Sequence, residues 1–192
     1  MTDATRAPGS IILIHGASSA GKSTLARALQ QRIDVPFLHY SIDHLRDSGV
    51  LPSERIRSHE FAWRDMRAAF FDGFHASVGA FVRAGNHLLV EHIVETRAWR
   101  DDLLRILAGV DVFFVAVHCP LVELERREAA RGDRPAGMAK TDFASVHLFN
   151  TYDFEVDSTA PLERNVAAVI AAWKARVPPS AFERMARVTA TS

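Results

Sequence analysis

The stretch "SIILIHGASSAGKSTLA", residues 10–26, decides the fold. Its first five residues form a short, continuous, β-branched-rich run, which predicts a strand buried on both faces. From Lys22 the apolar period changes. Leu25, Ala28, Leu29 and Ile33 recur at helical spacing, and Pro36 closes the segment. Between strand and helix lies Gly16-Ala17-Ser18-Ser19-Ala20-Gly21-Lys22-Ser23, followed by Thr24, which fits the pattern G-x-x-x-x-G-K-[ST]. Glycine lets such a backbone curl and turn its N–H groups inward. The helix start adds unpaired N–H groups and the positive end of its dipole. Lys22 supplies a mobile charge for the β- and γ-phosphates of a nucleotide, and Ser23 a hydroxyl ligand for Mg²⁺.

Working outward, strand and helix patterns alternate about five times. Residues 36–40 ("PFLHY"), 87–94 ("HLLVEHIV"), 110–119 ("VDVFFVAVHC") and 153–158 ("DFEVDS") read as the further strands. Helices are expected over about 98–107, in "LVELERREAAR", and along the stripe Leu162, Val166, Val169, Ile170 and Trp173. Fully apolar strands between helices predict an α/β fold: a five-stranded parallel sheet with helices on both faces. The sequence shows no repeat and no low-complexity linker. It reads as one domain, 1–192, whose tail, 178–192, is a short helix with a frayed end.

Lys and Arg number 23, as do Asp and Glu, so no overall field draws the chain to nucleic acid or an anionic membrane. With a lone cysteine, Cys119, there is no intramolecular disulfide, and a reducing cytoplasm is the expected setting. The first ten residues lack the apolar core of a signal peptide, and no run approaches the ~20 apolar residues of a membrane span. Whether the chain forms a homo-oligomer is left open.

In a sheet of this kind, ligands bind beyond the carboxyl ends of the strands. Asp43 lies three residues past the second strand, where a carboxylate can take the proton of an attacking hydroxyl. Its structural alternative is a helix N-cap, although Ser41 in "SIDHL" is also placed to cap and would free Asp43. Glu91 and His92 follow "LLV" at the end of the third strand. Glu91 suits the orientation of Mg²⁺ through a bound water, or a capping role; His92 suits contact with a substrate, or a purely structural place. Glu95 and Arg97 are weaker candidates on the same loop.

Arg127 and Arg131, four apart, share one helix face. With Gly132, Arg134 and Pro135-Ala-Gly137 they predict a short arginine-bearing lid, at about 127–140, over a transferring phosphoryl group. A solvated helix face is the alternative, and Glu123, Glu125 and Glu128 favour it for Arg126. Between Asp43 and the third strand, Phe70, Phe74, Val78 and Phe81 share a stripe and are expected in the core. Arg57, Trp63, Arg64, Arg67 and Phe71 fall partly off it and are candidates to line an acceptor site.

"GASSAGKS", "SIDHL", "RGDRPAGMA" and "YDFEVDST", in this order, resemble chloramphenicol phosphotransferase and its relatives, over about Ile11 to Trp173. The resemblance implies a three-layer P-loop kinase fold and transfer of the ATP γ-phosphoryl group to a hydroxyl, with ATP and Mg²⁺ as cofactors. By position it makes Asp43 the general base, Lys22 and Ser23 the phosphate and Mg²⁺ residues, and Arg134 a lid arginine. The chain departs from that family at Ala17, at Glu91-His92 and in the shorter, basic stretch after the second strand. It therefore points to kinase chemistry on a small hydroxylated acceptor, with chloramphenicol or a related antibiotic as one candidate. A nucleotide sugar, a sugar acid or a nucleoside, in a toxin-type or metabolic kinase, is the alternative. A hydrolysing switch is disfavoured, because no Asn-Lys-x-Asp and no Asp-x-x-Gly follows the third strand.

Overall fold

The computed structural model describes residues 7–131 and 137–190. Strand β1 (Ser10–His15) runs between β3 (His87–Glu91) and β4 (Asp111–His118), with β2 (Phe37–Ser41) and β5 (Phe154–Asp157) at the edges. All neighbours are parallel, in the order β2-β3-β1-β4-β5. The connections are helical: α1 (Lys22–Gln30), α2 (Ile42–Asp47), α3 (Ser53–Arg57), α4 (Trp63–Arg83), α5 (Arg97–Ile106), α6 (Leu121–Arg131), α7 (Met138–Ser145), α8 (Leu162–Lys174) and α9 (Ala181–Ala190).

Because side chains alternate along a strand, β1 feeds two cores. Ile12 and Ile14 pack with Leu25 and Leu29 of α1 and with Val166, Val169 and Trp173 of α8. Ile11 and Leu13 pack with Phe74, Val78 and Val82 of α4, Leu103 and Leu104 of α5, and Phe182 and Met185 of α9. Each fully buried side chain of this kind contributes about 1.5–3 kcal/mol. Both faces of the central strand are thus filled, and its C-terminal end is held rigidly. These are the three layers expected of a P-loop kinase.

Some boundaries differ from the sequence reading. Helix α1 stops at Gln30, yet Ile33 beyond it is still buried, packed into the α1 core from the turn that follows. The third strand ends at Glu91 rather than Val94, and Val94 is buried from the loop. The tail forms α9, whose Phe182 and Met185 make it part of the second core. The aromatic stripe of α4 is only partly core. Phe74, Val78 and Val82 are buried, whereas Phe81 is 42% exposed and lies against Tyr40 of the edge strand β2. Among the described residues, no helix is long and apolar enough to cross a membrane.

The chain leaves β1 at Gly16 with φ of 154°, and a Cβ there would sit 2.4 Å from the Val117 carbonyl oxygen of β4. Neither atom can move, since both strands belong to the middle of the sheet. Gly16→Ala is therefore expected to cost about 2–3 kcal/mol, in the range of other imposed backbone strains. Thermal or urea denaturation of the variant measures it.

Candidate active site

Beyond Gly16 the chain curls through Ser19, which has a positive φ, and Gly21, in the left-handed region at φ 97°, before α1 begins. The Ala20 N–H donates to the Ala17 carbonyl (3.2 Å), closing the curl. No side chain caps α1, so its first N–H groups stay turned into the loop. Lys22 folds back across it, Nζ donating to the Ala17 carbonyl at 2.7 Å. Ser18 N–H donates to Asp142 Oδ2 on α7 (2.8 Å). Residues 16–23 thus form a tight curl at the end of the central strand, in which the N–H groups of Ser18 and Ala20 already have acceptors.

Glu91 ends β3, in register with Ile14 on one side and Ser41 on the other. Its buried carboxylate accepts from Ser23 Oγ (2.7 Å) on one oxygen and lies 3.2 Å from His39 Nε2 on the other. Burial alone would raise its pKa. The His39 hydrogen bond, the Lys22 charge and the Ser23 hydroxyl more than offset it, and the carboxyl titrates below its usual range. An ionised carboxylate beside a hydroxyl offers two hard oxygen donors. Mg²⁺ takes one or two such protein oxygens and fills its shell with phosphates and water, so the donor set fits.

Ser41 is the N-cap of α2, its Oγ accepting the Asp43 N–H at 3.2 Å. The cap is thus supplied by Ser41, and the Asp43 carboxylate is paired with Arg46, whose Nη1 lies 3.2 Å away. Asp43, Lys22, Ser23 and Glu91 line one cavity of about 750 Å³. Its far wall carries Arg57, Trp63, Arg67, Phe70 and Phe71. Phe70, expected in the core, is thus a wall residue. Arg64, expected in this wall, is not: its side chain is 87% exposed beside Asp65, one position round the helix from Trp63.

His92 touches the same cavity but is almost wholly enclosed. Its Nε2 lies 2.9 Å from that of His75, and burial holds both rings below the ordinary histidine range, so the pair is neutral, one ring donating to the other. His15, the last residue of β1, is driven by burial to a pKa of about 3. It accepts the Val94 N–H on Nδ1 and so donates through Nε2 to the Val146 carbonyl (2.9 Å) just past α7.

A second cavity, of about 410 Å³, abuts the first at Gly21 and Thr24, which line both. Arg126, Arg127, Ser158, Ala160 and Asn165 line it. Arg127, read from the sequence as a lid arginine, is committed here. It donates to Glu123 (2.6 Å), to the Ala20 carbonyl (3.3 Å) and to the hydroxyl (3.1 Å) and carbonyl (3.2 Å) of Ser158. Of the other lid residues, Arg131 ends α6, while Gly132, Arg134 and Pro135 lie outside the described residues.

Sequence reasoning gave no role to Asp142, His15 and Ser158, and read Glu128 only as support for a solvated helix face around Arg126, whereas it is buried. Glu128 accepts the Gly137 N–H on one carboxylate oxygen and the Ala139 N–H on the other, each at 2.8 Å. The acid joins α6 to the first turn of α7 across the 132–136 segment. Spacing could have hinted only at Ser158, which sits in the "YDFEVDST" string.

A family model described as chloramphenicol phosphotransferase-like protein matches residues 9–174. A protein of Mycobacterium tuberculosis (strain H37Rv), named as a proposed O-phosphotransferase, is 30% identical over 201 residues, which cover 92% of this chain and 88% of that one. Among solved structures, the Mycobacterium tuberculosis APS kinase CysC in complex with AMPPNP and APS matches with a TM-score of 0.64 at 18% identity, over 88% of this chain and 99% of its own. A gluconokinase from Sinorhizobium meliloti 1021 matches with a TM-score of 0.61 at 21% identity, over 97% and 98%. The solved structures share the fold, that of P-loop kinases.

Glu128→Ala leaves two N–H groups without their acceptor. It should lower stability by about 1–3 kcal/mol. Amide hydrogen exchange at Gly137 and Ala139 should accelerate in the variant, while that of β1 changes only with global stability.

Proposed function

The chain belongs to the chloramphenicol phosphotransferase-like family of P-loop kinases, and from that premise we propose that it moves the γ-phosphoryl group of ATP to a hydroxyl of a small molecule. The observation that carries the reading is the company Asp43 keeps. Its carboxylate, released from capping by Ser41, shares one cavity with Lys22 and with the bonded pair Ser23–Glu91. A protein that only holds or hydrolyses a nucleotide has no need of a wide second chamber with its own proton acceptor.

In this reading the triphosphate lies on the N–H groups of residues 16–24, and the base of the nucleotide occupies the cavity beside Arg126, Ser158 and Asn165. Lys22 leaves the Ala17 carbonyl for the β- and γ-phosphates. Ser23 and Glu91 hold Mg²⁺, which supplies charge neutralisation to the phosphates. The acceptor hydroxyl enters from the Trp63–Phe71 side. Its oxygen forms the new bond to γ-phosphorus while the bond to the β-phosphate oxygen breaks, and ADP leaves with that electron pair. Asp43 takes the hydroxyl proton. Arg131 and Arg134, the lid arginines of the sequence reading, are assigned the stabilisation of charge on the transferring group, and His92 backs the acceptor wall from within. An antibiotic such as chloramphenicol is one acceptor the family name suggests, and the reducing cytoplasm, where buried Cys119 stays a thiol, is the compartment.

Asp43→Asn is expected to cut transfer by ~10²–10⁴ with ATP affinity nearly unchanged, as loss of a general base does. Full transfer activity in that variant would remove Asp43 from the mechanism. Lys22→Ala should lower kcat by ~10²–10³ through lost stabilisation of the charge that develops on the phosphoryl oxygens. Mass spectrometry of a mixed hydroxyl-compound library, incubated with protein, ATP and Mg²⁺, should reveal a product heavier by one phosphate. ADP without any such product would favour hydrolysis.

A further inference from the structure

The net charge of the chain is zero, but the larger cavity is locally cationic. Lys22, Arg27, Arg46, Arg57 and Arg67 line it against three carboxylates, Asp43, Glu91 and Glu95. Where each cation's charge is directed decides what the cavity can attract. Lys22 is folded onto the 16–23 loop, its Nζ donating to the Ala17 carbonyl. Arg46 lies between Asp43 (3.2 Å) and Asp47 (2.9 Å). Arg67 donates to Glu95 at 2.5 Å and lays its guanidinium over Phe71 and Trp99, 4.7 and 4.9 Å from their ring centroids.

Arg27 and Arg57 differ. Neither guanidinium makes a hydrogen bond or ion pair with any described residue, and both border the cavity. Arg27 stands four residues after Ser23, so the two share the face of α1 that looks toward Asp43. Arg57 ends α3. Its neighbour Arg55, two residues earlier, is spent on Glu60 and on the ring of Phe61, which leaves Arg57 as the cationic group that α3 offers to the cavity. The rest of the wall is apolar and ring-rich, with Leu51, Ile56, Trp63, Phe70 and Phe71. A volume of about 750 Å³ lies well inside the range of drug-sized pockets, roughly 300–1,000 Å³, so there is room for a ring as well as a charged group.

We propose that the acceptor is an alcohol carrying both a planar ring and a fixed negative charge, the ring resting on Trp63 and Phe71 and the charge paired with Arg27 and Arg57. The inference rests on the reading of this cavity as the acceptor half of a phosphotransferase. Guanidinium forks match carboxylate, sulfate and phosphate alike. The two arginines make the site selective for an anion over a neutral molecule of the same shape.

Isothermal titration of the full chain, with and without AMPPNP and Mg²⁺, tests this with matched probes: para-(hydroxymethyl)benzoate, the corresponding phenyl sulfate and phenyl phosphate, and the uncharged methyl ester of the benzoate. At least one anion should bind about tenfold or more tighter than the ester, the scale of one charge-assisted contact. The order among the three names the anionic group. In the Arg27→Gln/Arg57→Gln double variant the preference should fall to about one, while Arg105→Gln, on the surface of α5 beside Asp102, keeps it. The proposal is overturned if the ester binds as tightly as every anion, if no anion binds, or if the preference survives the double variant. Binding is read without turnover. A chain that selects the anions but never phosphorylates a hydroxyl keeps the anion selectivity of the Arg27–Arg57 cavity and loses the kinase reading, and with it the role of that ligand as acceptor. One that phosphorylates the ester as readily as the anions does the reverse.

Discussion

Everything at the site depends on one close approach, that of the Gly16 backbone to the Val117 carbonyl of β4. A central strand covered on both faces cannot shift to relieve it, so the chain has a single exit and must curl there. The curl turns the N–H groups of the loop toward the strand ends and starts α1 at Lys22. Register carries the same constraint sideways. Ile14 faces Glu91 on β3, and Glu91 faces Ser41 on β2, so the end of β1 sets where the carboxylate stands and where α2 begins. The bond from Ser23 to Glu91 and the cap from Ser41 to Asp43 N–H follow from that alignment rather than from any local preference of their own.

A second set of bonds ties the helices flanking residues 132–136 to the loop. Arg127 reaches the Ala20 carbonyl, Asp142 takes the Ser18 N–H, and His15 donates to the Val146 carbonyl. Each link is polar and directional, and the histidine is kept neutral by burial. A neutral ring can accept from Val94 and donate to Val146 at once, whereas a protonated one would have two donors and lose the first bond. Glu128 completes the set by joining α6 to α7. The base of the expected lid is thereby fastened to the loop it would cover.

These two groups of contacts also separate what the sequence could reveal from what it could not. The strands, the loop and the alternation of helix and sheet are written in local periodicity, and so are the helix start at Lys22 and the cap at Ser41. Periodicity tells which residues share a face, but not how far a neighbouring element extends over it. Phe70 and Phe81 share the stripe of Phe74, yet burial on α4 runs only from Phe74 to Val82 and along one face. One of them lines a cavity and the other lies on Tyr40 at the surface. Arg64 and Trp63 are adjacent in sequence, and one step round a helix sends them to solvent and to the cavity respectively. The polar links are less legible still, because Asp142 and Ser18 are 124 positions apart and Val146 and His15 are 131. No spacing rule joins such residues; only the return of the chain across the sheet does.

The two cavities give this division a consequence for chemistry. They meet at Gly21 and Thr24, at the first turn of α1, where the helix dipole and the loop N–H groups are concentrated. On the β5 side, Arg126 and Arg127 share Glu123, and Arg127 is also committed to Ser158, so that wall is shaped by hydrogen bonds already made. On the β2 side, Arg27 and Arg57 hold charge that no described residue offsets. A ligand entering on the β5 side fits a frame of bonds already made, whereas on the proposed reading an anion entering on the β2 side would supply the partner that Arg27 and Arg57 lack among the described residues. In the proposed reading, the half of the reaction common to every acceptor would sit against the more cross-braced part of the fold, and the half that discriminates among acceptors would lie on α2, α3 and the start of α4. Neither α2 nor α3 has a fully buried residue, and both are fastened by ion pairs at the surface, so on the proposed reading substitutions there would alter the choice of acceptor with little cost to the sheet.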